Sequence, residues 1–441
     1  MSVLVILQFF YEVIKGMINS SSLKAVAGAT FSSSFRRPLY DSYCFSRIAH
    51  TGQYLLSGEG KERALPKDCF LSEELYDMVI VFVIDGFGWR FFEENKDHFP
   101  FLQKCESEGI VSKITSQFPS TTAAHITNIH TGLTPSQSGV YEWFYYEPFV
   151  DQMIAPLLYS YAGDKVSSTL ERDKISPTDL FPARTIYQDM KKQGIESFVM
   201  QQENIASSPY SEALSKGAHH LSYMQWEQGL QTLREAVLSP KGSHPSYFFT
   251  YFGDIDAAGH RTGIGSPEFI RAIHHCFESL EKHFLPAARC THKKVACLIT
   301  ADHGMVDVDP KKTFYLNEVY PQIFEHLQTN RQGKYKVPAG SCRDFFLHIK
   351  ENHIDTVVAD LKTLFHGKAE VFPVSELIEQ KLFGAEVSSV FLSKVGNVVI
   401  LPYEKEAIWW KEKNRFEQHF YAAHGGLTPA EMESIFLFLP L

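Results

Sequence analysis

Short apolar runs that stop abruptly at acidic residues alternate along this chain with longer segments of helical periodicity. The clearest run is Met78–Ile84 in DMVIVFVIDGFG, seven apolar residues closed by Asp85 and Gly86. A strand with one wet face would alternate, so an unbroken run predicts a strand buried on both faces of a parallel sheet. GIVSKITSQFPSTTAAHITNIHTG, residues 109–132, reads as a strand, a proline turn and a helix beginning near Ser120. SYFFTYFGDID is a third strand, VACLITADHGM a fourth, and IFLFLPL a fifth. Helical patterning between them, as over 183–193 and 267–284, gives the β/α alternation of an α/β fold with a mostly parallel central sheet sandwiched by helices.

Two stretches break the alternation. Residues 144–245 are rich in aromatic and polar side chains, and 311–415 carry β and α signals of their own, including NVVILPY. Both are expected to be insertions that cap a site. Residues 1–66 differ again. Their apolar start is interrupted by Glu12 and Lys15, and 18–66 is Ser-rich and weakly patterned. The expectation is a leader or loosely packed arm over 1–66 and one catalytic domain over 67–441. The opening run is too short for an uninterrupted membrane span and lacks a basic n-region, although AVAGA at 25–29 has the small residues of a cleavage site.

Composition narrows the function classes. A chain of 441 residues, 44% hydrophobic and 21% charged, can bury a large core. A formal charge of −9 with no basic stripe argues against polymeric nucleic acid or an anionic membrane as partner. An anionic substrate would need local cations, and bound metal is one source. Seven cysteines (Cys44, Cys69, Cys105, Cys276, Cys290, Cys297 and Cys342) without a CxxC pair read as free thiols of a reducing compartment. A cytoplasmic location is therefore expected, with secretion through an atypical N-terminal signal as the alternative.

The chemistry lies at the strand ends: Asp85 after the first, Asp256 and His260 after the third, Asp302 and His303 after the fourth. In open α/β sheets ligands sit outside the carboxyl ends of the strands, so these five should share a crevice. Any one such ending is ordinarily a turn or a capped histidine; three in one chain weaken that reading. Carboxylate oxygen and imidazole nitrogen suit zinc and are acceptable to manganese. Five ligands exceed the needs of one tetrahedral ion with an open position, so two divalent ions are expected, an arrangement suited to in-line displacement at phosphorus. FPSTTAAH then supplies hydroxyls at a helix N-terminus, where free N–H groups favour an anionic phosphoryl group, although Ser and Thr there are also ordinary caps.

The ordered set VIDGFG, FPSTTAAHITNIHTGLTPSQSGV, DIDAAGHRTG, TADHGM and AAHGGLTPAEM resembles the type I phosphodiesterase/nucleotide pyrophosphatase family of the alkaline-phosphatase superfamily, from about residue 78 onward. The resemblance implies an alkaline-phosphatase-like fold with inserted cap segments, two zinc ions and a threonine nucleophile. The family's Thr-Gly-Leu follows its nucleophile by nine residues, which from Thr131 selects Thr122 over Thr121. Its D-x-x-x-H pair falls on Asp256 and His260, leaving Asp254 a neighbour, and its late histidine falls on His424. The implied ligands are Asp256, His260 and His424 for one ion, and Asp85, Asp302, His303 and the Thr122 oxygen for the other. The asparagine that many members place twenty-one residues beyond the nucleophile is Trp143 here, a departure that bears on nucleotide specificity.

The implied activity is hydrolysis of a phosphodiester or pyrophosphate through a phosphothreonine. The alternatives are a phosphomonoesterase or phosphonate hydrolase on the same site and, in another class, an inactive binding protein of the same fold. No Cys-x-Pro-x-Arg sequence occurs, which argues against sulfatase chemistry. Tyr141 and Trp143, with Tyr145 and Tyr146, are candidates for a wall on which a base or aromatic group stacks, and Arg343 for an anion contact across a cap. Core packing and a structural arginine are the plainer readings of these. His125, one helical turn after Thr122, reads as packing or as support behind the nucleophile. His219, His220, His274, His275, Asp307 and Asp309 read as surface.

Overall fold

A computed structural model describes residues 17–70, 74–238, 244–288 and 290–441. Met78–Ile84 is a strand buried along its whole length. Its alternate side chains divide between two cores: Val79, Val81 and Val83 enter one, while Met78, Ile80, Phe82 and Ile84 enter the other. The unbroken apolar run therefore serves two interiors, one on each face.

Eight strands make the central sheet, in the order Met17–Ile18, Ile110–Thr115, Glu433–Pro440, Val295–Thr300, Met78–Ile84, Ser246–Phe252, Glu196–Gln202 and His219–Tyr223. All neighbours pair in parallel except Glu433–Pro440, which runs antiparallel to both its neighbours. The helix Ile48–Ser57 packs on one face, while Trp226–Leu238 and Pro267–Ser279 cover the other.

Two expectations need correction. Residues 18–66 are not a loose arm: Met17–Ile18 pairs with Ile110–Val111, and Val26, Phe35, Phe45, Ile48 and Leu55 are core residues. Their weak periodicity reflects short elements separated by turns. The leader reading falls mainly on residues 1–16, outside the described residues. Nor does the first insertion extend to 245, because 196–202 and 219–223 are strands of the central sheet. Their polar members, among them Glu196, Gln201 and His219, dilute the apolar signal at the sheet's outer side.

What remains of that insertion includes a three-stranded antiparallel sheet of Tyr145–Glu147, Gln152–Ala155 and Ser160–Tyr161. The second segment folds as a four-stranded antiparallel sheet in the order Ala339–Ser341, Asp344–Leu347, Val398–Pro402 and Ala369–Pro373. A third core lies beneath it, with Phe345, Leu347, Val357, Leu361 and Trp409. No helix among the described residues is long and apolar enough to cross a membrane. All seven cysteines are free, and only Cys290 is exposed.

Candidate active site

The carboxyl ends of three adjacent parallel strands bring the expected acids together. Asp85 leaves its strand into Gly86, whose φ of 74° takes the left-handed turn. A Cβ on Gly86 would lie 3.1 Å from Asp256 Cβ, so a residue without one lets the two acidic loops approach. The Gly86 N–H donates to Asp302 Oδ1 at 3.1 Å, and the His303 N–H donates to the same oxygen at 3.0 Å. Asp254–Thr262 is a helix starting directly after its strand, which puts Asp256 and His260 one turn apart on one side.

The ligand atoms form two groups, Asp85 with Asp302 and His303, and Asp256 with His260 and His424, each set lying within 4.8 Å. Thr122 is the first residue of the helix Thr122–Thr131, after the N-cap Thr121. Its Oγ is 3.2 Å from His303 Nε2 and 3.5 Å from Asp85 Oδ2, so it belongs to the first group. Trp143 lines the cavities beside Thr122.

Donor chemistry in both groups suits cations. His260 Nδ1 faces the Ala422 carbonyl at 2.7 Å and His424 Nδ1 the Ser120 carbonyl at 2.9 Å. Each Nδ1 therefore carries the proton, leaving lone pairs on two Nε2 atoms only 3.2 Å apart. Two such atoms this close need a positive group between them, either a metal ion or the proton that Asp256 favours on His260. His303 is held alike, its Nδ1 against Gly304 O at 3.1 Å and its Nε2 3.2 Å from Asp302 Oδ2. Asp85 Oδ1, Asp256 Oδ1 and Asp302 Oδ2 are buried with no hydrogen-bond partner among the described residues. Such orphaned oxygens are costly unless something positive meets them.

Electrostatics agree with the geometry. Burial pushes the Asp85 carboxyl well above the usual range, with Asp302 and Asp256 adding to the push. Burial likewise raises Asp302 to about 7. Burial holds the His303 and His424 imidazoles well below their ordinary value, so both are neutral and free to ligate. Burial works against the charged forms of both Asp256 and His260, but their mutual attraction prevails: Asp256 is lowered and His260 raised.

Two candidates sit elsewhere. Tyr141 is fully buried, packed on Tyr145, Phe346 and Phe391, and forms no stacking wall. Arg343 is also fully buried, with Nε and Nη2 each 3.0 Å from Glu431 and further bonds to the Pro402, Tyr403 and Glu406 carbonyls. No donor remains for an anion. Glu431 also accepts from the Gly426 N–H at 3.1 Å and the Thr428 hydroxyl at 2.6 Å, so Arg343 anchors the turn that follows His424. Arg343→Ala should strand a buried carboxylate and cost about 3–5 kcal/mol, read as a lower denaturant midpoint.

Other side chains act from behind. Buried His125 donates from Nδ1 to the Thr121 carbonyl at 2.8 Å and accepts the Gln117 N–H at 2.9 Å, which braces the turn before Thr122. Tyr251, taken with its strand as core, donates its hydroxyl to Asp85 Oδ2. Buried Glu142 faces the cavity with Oε1 unpartnered, and burial raises it to about 8. Neither had a distinguishing signal, since each sits in an aromatic stretch. The paired histidines are surface residues, His274 bonding Glu278 and His275 bonding Glu227.

Two cavities flank Thr122. One of about 310 Å³ opens over Asp256, His260 and His424 and is walled by Trp143, Phe144, Trp409, Phe416 and Phe420. The other, of about 560 Å³, contains Asp85 and Tyr251 and is lined by Gln201, Gln202, Asn204 and Ser208.

Residues 79–426 match the family model described as Type I phosphodiesterase / nucleotide pyrophosphatase. Relatives by sequence include rat ectonucleotide pyrophosphatase/phosphodiesterase family member 3, 23% identical over 56% of this chain and 27% of its own length. Human family member 1 is also 23% identical, over 54% of this chain and 24% of its own. The match thus spans about a quarter of these relatives. Their names carry the prefix ecto, so the cytoplasmic location expected from the cysteines receives no support from them. Among solved structures, murine ectonucleotide pyrophosphatase / phosphodiesterase 5, an inactive threonine-to-alanine variant in complex with AMP, superposes with a TM-score of 0.62 at 19% identity, over 82% of this chain and 87% of that one. The human counterpart gives 0.59 at 17%, with the same coverage. The fold is alkaline-phosphatase-like.

Proposed function

Since the chain belongs to the Type I phosphodiesterase / nucleotide pyrophosphatase family, we propose that it hydrolyses phosphodiesters of small molecules through a covalent phosphothreonine on Thr122. The observation that carries this reading is the pair of three-ligand clusters flanking a hydroxyl at a helix N-terminus. Two divalent ions, zinc by the ligand set with manganese as the alternative, would be held by Asp85, Asp302, His303 and Thr122 and by Asp256, His260 and His424; they would supply charge neutralisation and lowered oxygen pKa values.

The chain's own groups do the rest. Thr122 Oγ loses its proton to solvent and forms a bond to phosphorus as the bond to the leaving oxygen breaks. The free N–H groups of the first helical turn favour phosphoryl charge close to Thr122. His125 and Asp85, the latter fixed by Tyr251, keep the threonine oriented. Water then attacks the phosphothreonine, releasing a monoester and returning the hydroxyl. The AMP complex of the murine relative supports a nucleoside phosphate as one class of retained group.

The test compares hydrolysis of bis(4-nitrophenyl) phosphate and 4-nitrophenyl phosphate by zinc-loaded protein. Faster turnover of the diester is expected. A preference for the monoester would select the phosphomonoesterase reading, and tight zinc binding without turnover of either would select the inactive binding protein.

A further inference from the structure

We infer that the aromatic cavity beside His260 and His424 receives the leaving group of the substrate, and that this group is a planar apolar alcohol rather than pyrophosphate. The inference rests on the reaction proposed above. In-line displacement puts nucleophile and leaving oxygen on opposite sides of phosphorus. Thr122 Oγ sits with the Asp85–His303 cluster, so the leaving oxygen lies toward Asp256, His260 and His424. The cavity of about 310 Å³ opens over those three residues and includes none of Asp85, Asp302 and His303.

Its walls choose the chemistry. Phe144 is stacked on Trp409 with ring centroids 6.4 Å apart and meets Phe416 edge-on at 5.7 Å, a preformed aromatic surface. Phe420 is 48% exposed, yet its ring lies 4.6 Å from the His260 imidazole, which puts it beside the ligand cluster at the cavity edge. Among the described residues Arg415 is the one Lys or Arg lining the cavity; it is half-exposed and bonds Glu412 at 2.7 Å and the Ala162 carbonyl at 2.9 Å. Glu142 and Glu417 line the same space. A departing pyrophosphate would meet two carboxyl groups and a single guanidinium already paired with Glu412, whereas a ring meets rings. The cavity on the other side, which also reaches Asp256, mixes amides and hydroxyls from Gln201, Gln202, Asn204 and Ser208 with Ile126 and Tyr210, which suits a retained group with both polar and apolar parts.

The probe is 1-naphthol, titrated into the zinc-loaded full chain and followed by the fluorescence of Trp143 and Trp409. Saturable binding is expected. Phe420→Ala should weaken it about tenfold, the low end of what ring stacking contributes, and Phe420→Tyr should retain it. Because Phe420 is half-exposed, its loss leaves the core packed. In turnover, 1-naphthyl methyl phosphate should be cleaved faster than ATP. Diester hydrolysis without naphthol binding, binding indifferent to Phe420→Ala, or faster cleavage of ATP would overturn the inference and leave the reaction standing. Naphthol binding sensitive to Phe420 but with no diester hydrolysed would instead overturn the reaction, and the leaving-group role with it.

Discussion

Thr122→Ala protein will bind metal almost as the parent does and turn over phosphodiesters slower by a factor on the order of 10³ or more. On the proposed reading three carboxylates and three imidazoles would hold the ions, and the threonine oxygen would add little to them. Removing Oγ, however, would remove the atom proposed to form the bond to phosphorus. Thr121→Ala should be milder, because Thr121 is the N-cap, its side chain makes no capping bond, and its carbonyl still receives His125. Metal content by atomic absorption and phospho-adduct mapping on quenched enzyme separate the two positions. A phosphorylated Thr121, or equal losses in both variants, would sink the assignment.

The second large effect is on metal affinity. Ligands must be deprotonated to bind. His303 and His424 already are at mildly acidic pH, because burial depresses them. Asp302 is not: raised to about 7 by burial, its carboxyl holds a proton at pH 5 that an incoming ion must displace. Well below that pKa each pH unit should raise affinity about tenfold for this one proton, and the gain from pH 5 to pH 7, where half the groups are still protonated, should be about fiftyfold. Asp85, raised for the same reason, steepens the dependence. Zinc titrations of stripped protein in buffers of different ionisation enthalpy would show at least one proton released per chain at pH 6. Affinity flat across this range, or one ion per chain at saturation, would contradict the two-cluster reading.

Five of the six cluster residues were legible because burial on both faces writes a strand as an unbroken apolar run, so the acid that ends it stands out, as Asp85 does after Ile84. His424 follows no such run and was placed only by the family resemblance. The two outermost strands on one side of the sheet were not, because Glu196–Gln202 and His219–Tyr223 mix polar side chains into their runs. Tyr251 was hidden for the opposite reason: in SYFFTYF one hydroxyl among aromatic residues carries no sign of the carboxylate it meets. Arg343 shows a third limit. A charged residue in a polar stretch reads as solvated, and only a partner eighty-eight positions away, Glu431, makes it a core residue. Tyr141 and Trp143 stand two residues apart in one aromatic stretch, yet one lies in the core and the other lines the cavities.

The antiparallel strand Glu433–Pro440 lies between Ile110–Thr115, which leads to Thr122, and Val295–Thr300, which leads to Asp302. Until the ribosome has made residue 440, the two halves of the sheet have no shared neighbour, and nothing in the backbone ladder holds the threonine against the acids. The segment with His424 also emerges only shortly before that strand. Such long-range pairing is slow, and its open edges invite misassociation. A nascent chain with a folded Ser246–Thr300 region would therefore carry exposed strand edges and carboxylates but no complete centre. Thr122, the acids and His424 would come together only once Glu433–Pro440 has joined the two halves of the sheet.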